Sequence, residues 1–172
     1  WYFKTGVGQY GEGDVTWLMY VGSRTRWIKP GDDNFGFCHW VYMNGPELVQ
    51  RLGPGRHYGE WYGKGIQRGY GLDHRRFALF NVARWTRHED DATAERTYIP
   101  VDACGGTLDV VARIYDGPFE QSQVQAALRV LRDMGSVQVP GWKDPEGVMI
   151  WHSAAGIYMK ATIEHDEAGK GW

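Results

Sequence analysis

Cysteine is scarce: Cys38 and Cys104 are the only two in 172 residues. No CxxC and no Cys/His ligand spacing surrounds them, which argues against a structural zinc site. They fit free thiols in a reducing compartment, so a cytoplasmic location is expected, with a single disulfide left open. Charge of one sign is lacking too. Nineteen Lys and Arg face 21 Asp and Glu, for a net charge of -2, so any anion site must be a local cluster and not a global basic surface. No apolar run approaches membrane-spanning length and no signal peptide opens the chain, so no membrane partner is expected. The six histidines form no HxxxH pair, and neither HRD nor DFG occurs. "GVGQYG" (6–11) matches GxGxxG by letter, but the residues after it, Glu12 to Thr16, are poor helix formers, and a dinucleotide site needs a helix there.

Aromatics are what the chain has in quantity: nine Trp, ten Tyr and six Phe. Most are expected in the core, and some as stacking platforms for bases. "DVTWLMYVG" (14–22) reads as a strand, "SRTRWI" (23–28) as its partner, and "HYGEWYG" (57–63) and "RFALFNVARW" (76–85) as further strands. "GPELVQRLGPG" (45–55) reads as a short helix stopped by Gly53-Pro54. "TRHEDDATAER" (86–96) reads as a solvated loop and "LDVVARI" (108–114) as a strand. "EQSQVQAALRVLRDM" (120–134) is the clearest helix, with Val124, Leu128, Leu131 and Met134 on a core-facing stripe. "GVMIWH" and "GIYMKATIE" close the chain as strands. Many strands without βα alternation predict an α+β class with antiparallel sheets.

Within this frame "HYGEWYGKGIQRGYG" (57–71) stands out, because one carboxylate, Glu60, sits among glycine-flanked aromatics before a basic, glycine-punctuated run. Together with "VGSRTRWIKPGDDNFGF", "FALFNV" and "PEGVMIWH", followed by "YMKATIE", it resembles in order and spacing the RNA ligase domain of the ATP-dependent covalent nucleotidyltransferases. The resemblance implies a single domain over residues 1–172, lacking its N-terminal part, with antiparallel sheets around an ATP cleft. It implies ATP and Mg²⁺ (or Mn²⁺) as cofactors and RNA ends, a 5′-phosphate and a 3′-hydroxyl, as partners.

It also implies roles. Glu60 faces ribose or metal, Glu146 is a second metal-facing carboxylate, and Lys160 contacts phosphate. Phe80 stacks on adenine against Val148 and Ile150, and Arg24 contacts the nucleotide phosphate or the RNA end. Glycines beside Glu60 would let backbone approach the nucleotide. Lys64, Gln67 and Arg68 are weaker candidates for RNA phosphates. The family's nucleophile lies in K-x-D-G, which this chain does not contain; Lys4-Thr5-Gly6 is the nearest string, and Lys4 is the candidate nucleophile by its spacing from Val21. Two activities are therefore expected as alternatives: RNA ligation through lysyl-AMP and RNA-adenylate, or nucleotide or RNA-end binding without ligation.

Overall fold

The structure, a computed structural model, describes residues 2–9, 15–85, 99 and 102–163. The chain divides into two compact units, Trp1–Val111 and Ala112–Trp172. The first carries one sheet of six strands: β1 (Tyr2–Gln9), β2 (Val15–Gly22), β3 (Trp27–Ile28), β4 (Gly55–Gly63), β5 (Arg75–Leu79) and β6 (Leu108–Val110). Their order is β3-β2-β1-β4-β5-β6. All neighbours are antiparallel except β5 and β6, which run parallel. The expectation of purely antiparallel sheets is corrected here. The chain between Leu79 and Leu108 is long enough for the crossover that parallel neighbours require. The class is mixed α and β.

Alternation along the strands sorts side chains between the two faces. Phe3 and Thr5 on β1, Val21 on β2 and Phe77 and Leu79 on β5 are buried on one face. Helices α1 (Phe37–Met43) and α2 (Gly45–Leu52) contribute Phe37, Trp40, Val41, Leu48 and Leu52 to the same core. The rings of Phe37, Trp40, Trp61 and Phe77 meet with centroids 5.1–6.2 Å apart. Both indoles are satisfied: Trp40 Nε1 donates to Thr107 Oγ1 (2.8 Å) and Trp61 Nε1 to the Phe35 carbonyl (2.9 Å). The α2 reading holds, with Gly53 at φ 68° ending the helix.

Helix α1 has no counterpart among the elements expected from sequence. Phe37 to Tyr42 are all weak helix formers. What holds its start is the Asp33 carboxylate, which accepts from the backbone N–H of Cys38 (2.8 Å) and His39 (2.9 Å). "SRTRWI" is not a full strand either. Ser23 to Arg26 form a tight turn closed by Ser23 N–H to the Arg26 carbonyl (2.9 Å), and only Trp27 and Ile28 pair with β2. Strand β5 stops at Leu79 and is followed by a single helical turn, α3 (Val82–Trp85); a second turn, α4 (Ala103–Gly106), precedes β6. Strand β6 ends at Val110, short of the expected range. The acidic segment 86–96 lies outside the described residues. Gly6 to Gln9 of the glycine string lie inside β1.

The second unit consists of α5 (Gln121–Met134) and the hairpin β7 (Gly147–His152)–β8 (Ile157–Thr162). The helix buries Ala127, Leu128 and Leu131. Met134 is 70% exposed, which corrects its place on the stripe. The chain turns sharply at Gly135, where a Cβ would stand 2.4 Å from the Trp142 carbonyl oxygen, and Met134 is left outside.

Candidate functional site

Of the site residues expected in the first unit, Glu60 and Phe80 share one face of the sheet, opposite the core. Glu60 on β4 faces Ala78 on β5. Phe80 follows β5 directly and donates its backbone N–H to the Tyr58 carbonyl (3.0 Å), so it stands across from Tyr58 and diagonal to Glu60. Diagonal neighbours in a sheet are about 7–8 Å apart, within reach of an aromatic side chain. Phe80 is 41% exposed while Phe77 and Leu79 are fully buried, so the core role open to it from sequence falls to its neighbours.

Two residues that sequence reasoning missed belong to this face. Asp109 on β6 lies in register with Ala78, so Glu60 and Asp109 flank that small residue from either side. Arg76 pairs with Asp109 (Nη2 to Oδ2, 2.9 Å), and the Tyr62 hydroxyl donates to the same oxygen (3.1 Å). Tyr62 is itself covered by Tyr70, edge-on at 5.5 Å. Arg76 Nε is buried without a hydrogen-bond partner among the described residues. A carboxylate in the middle of "LDVV" was the available signal for Asp109, and alternation from Ala78 was the signal for Arg76.

The glycines beside Glu60 have a different use from the one expected. A Cβ at Gly59 would lie 2.4 Å from the Ala78 carbonyl oxygen and 2.5 Å from Phe77 Cζ, so the Phe77 ring occupies that space on the core side. Gly63, at φ 112°, would meet the His74 carbonyl oxygen at 2.3 Å. Both serve the packing of β4 on β5. Downstream, Arg68 (φ 71°) and Tyr70 (φ 52°) take the left-handed conformation on either side of Gly69 (φ 59°). That conformation is costly for side-chain-bearing residues, and it brings Tyr70 onto Tyr62.

Lys4 is exposed at the middle of β1, between Tyr20 and Arg56 in register. It is on the same sheet face as Glu60 but four residues away along β4, about 13 Å at the strand rise. Thr5 beside it is buried, its hydroxyl donating to the Gly53 carbonyl (2.5 Å). Arg24 is exposed in the β2–β3 turn, while Arg26 ion-pairs with Asp32. In the second unit, Lys160 on β8 ion-pairs with Glu146, the residue preceding β7, and both are about half exposed. Lys160 faces Met149, whereas Val148 faces Ala161 and Ile150 faces Met159. Val148 and Ile150 therefore lie on the opposite face of the hairpin from Lys160.

Three other groups are structural in character. His57 is buried, with Nε2 3.1 Å from the Gly53 carbonyl, a contact that requires the proton on that nitrogen. Desolvation lowers its pKa, and the Arg84 charge adds to the effect. A depressed pKa means the unfolded chain binds the extra proton more readily. Stability is therefore expected to be full above about pH 6.5, the unfolded value, and to fall as the pH drops below it. Urea titrations at pH 5 and 8 check this; the His57→Phe protein should show a smaller difference between the two. Cys38 and Cys104 are buried and unpaired by any disulfide. Burial pushes the Cys104 thiol up to about 12 and raises Cys38 as well, so neither supplies a thiolate near neutral pH.

An open groove of about 680 Å³ lies on the other side of β2, lined by Trp17, Met19, Tyr42, Pro46, Val49 and neighbours. Among the described residues no charged side chain lines it, which does not suit a triphosphate. Among the described residues, no group of three or more His, Cys, Asp or Glu is placed to hold a metal ion. Mg²⁺ beside phosphates needs only one or two carboxylates; on this face Glu60 is exposed, and Asp109 is partly buried beside Arg76 and Tyr62. No helix among the described residues is long and apolar enough to cross a membrane. No family model, no curated protein and no solved structure matches the chain.

Proposed function

We propose that this chain is an ATP-dependent RNA ligase of the covalent nucleotidyltransferase type. The observation that carries the reading is the placement of Glu60 and Phe80. They are exposed together on one sheet face, as Tyr58 is, while Trp61, Tyr62 and Phe77 on the same strands are buried. In this reading the Phe80 ring stacks on adenine and Glu60 accepts a ribose hydroxyl or holds Mg²⁺ through water. Within the second unit, Lys160 can exchange its Glu146 partner for a phosphate. When bound, the metal neutralises phosphate charge. Lys4 Nζ attacks the α-phosphorus and pyrophosphate leaves. AMP then passes to an RNA 5′-phosphate, and a 3′-hydroxyl displaces it.

A second reading, nucleotide or RNA-end binding without ligation, is favoured by one observation. Thr5, next to Lys4, is committed to the core through Gly53, and Lys4 stands about 13 Å along the sheet from Glu60. Incubation with α-labelled ATP and Mg²⁺ decides between the two. Ligation requires label that survives denaturation, maps to Lys4, and is lost in Lys4→Ala and Glu60→Ala proteins that fold normally. Saturable ATP binding without label supports the second reading. Label that survives Lys4→Ala removes Lys4 from the account.

A further inference from the structure

A row of aromatic residues crosses the open face of the six-stranded sheet. Register places Tyr58 (β4), Tyr2 (β1), Gly22 (β2) and Trp27 (β3) opposite one another in turn. Phe80 extends the row past Tyr58. The rings touch: Tyr2 and Tyr58 have centroids 5.4 Å apart, and Tyr2 and Trp27 5.5 Å. Gly22 makes this possible, since a Cβ there would stand 2.6 Å from Tyr2 Cζ; the Tyr2 ring lies across it. Trp27 and Tyr58 are 50% and 49% exposed.

The next row along the strands is cationic. Arg56, Lys4 and Tyr20 stand opposite one another, about 7 Å from the aromatic row at two residues' rise. The Arg56 guanidinium lies 5.2 Å from the Tyr2 ring centre, and Tyr20 packs on Trp27 at 6.0 Å. Among the described residues, no ion pair engages Lys4 or Arg56. In a chain of net charge -2 this is a local concentration of positive charge beside exposed rings.

We propose that this face binds a single strand of RNA, with bases stacked on Trp27, Tyr2 and Tyr58 and phosphate held by the Arg56 guanidinium. Rings in a row beside a row of cations match the alternation of base and phosphate in a single strand, and a sheet face with exposed aromatics is a general means of holding unpaired bases. A protein partner would need carboxylates placed to match the cations, whereas a nucleic-acid strand carries a phosphate at every residue. The row ends at Phe80, so the strand leads toward the ring assigned to adenine. The identity of the strand as RNA rests on the ligase reading; the stacking surface does not.

The test is fluorescence anisotropy of a labelled short oligouridylate with the whole chain, without ATP or metal. Binding should be saturable and should weaken as salt is raised. Trp27→Ala and Tyr58→Ala should each weaken it about five- to 150-fold, the range for losing one stacking ring. Arg56→Gln should weaken it and flatten the salt dependence. ATP binding, read in the same proteins, should not change in Trp27→Ala. Oligouridylate binding that is absent in the wild type, or equal in all three variants, overturns the proposal. So does a wild type that binds no oligouridylate and sediments as a larger species than Trp27→Ala, since a second copy of the chain would then cover the face. A wild type that binds oligouridylate but not ATP keeps this surface and sinks the ligase reading.

Discussion

Alanine at position 77 is expected to cost about 3–5 kcal/mol of stability, the range for removing a buried phenylalanine ring. Phe77 is fully buried and meets Phe3 at 5.7 Å, Phe37 at 5.1 Å and Trp40 at 5.7 Å between ring centres. Its edge also fills the space beside Gly59, so the cavity would open under the strand that carries Glu60. The surrounding side chains are large, flat and already in contact, which limits their collapse into the void. Domains of this kind are stable by only about 5–15 kcal/mol, so a large share of the total would go. The midpoint of urea unfolding reads this directly. A midpoint unchanged from wild type would mean that the aromatic cluster is not the core of the first unit.

Alanine at position 80, three residues further on, should behave in the opposite way. It is expected to weaken ATP binding by about 1–3 kcal/mol, the value of one stacking ring, and to change stability by no more than about 0.5 kcal/mol. The ring is exposed, and the backbone of Phe80 is held independently, by its N–H to Tyr58 and by its carbonyl, which accepts from Val82 (2.8 Å). Removing the side chain therefore leaves the strand end in place. Calorimetric titration with ATP alongside thermal unfolding separates the two effects. Unchanged affinity in a folded protein would move the adenine slot elsewhere. Trp61 and Tyr62, the alternatives on β4, are 3% exposed and have no free ring face to offer.

The contrast between positions 77 and 80 is legible in the sequence, because alternation in "RFALF" sets Phe77 and Leu79 against Ala78 and Phe80. Helices α2 and α5 and the β7–β8 hairpin are legible for the same kind of reason: local periodicity bounded by glycine or proline. Helix α1 is not, since its start depends on Asp33 reaching forward to the N–H groups of Cys38 and His39, past Phe35 (φ 53°) and Gly36 (φ 71°), both left-handed. The parallel placement of β6 is hidden as well, and with it the company of Asp109, Arg76 and Tyr62 around Glu60. That grouping depends on contacts between residues up to 47 positions apart in sequence. The aromatic row is hidden for the same cause. Tyr2, Gly22, Trp27 and Tyr58 carry no common motif and meet only through the register of four strands.

Equilibrium binding of ATP to the whole chain in the presence of Mg²⁺ tests the central claim most directly, because ligation through lysyl-AMP requires a nucleotide site. The expected result is saturable binding, weakened in Phe80→Ala and Glu60→Ala proteins whose unfolding matches the wild type. Absence of saturable ATP binding by a folded wild-type chain would contradict it.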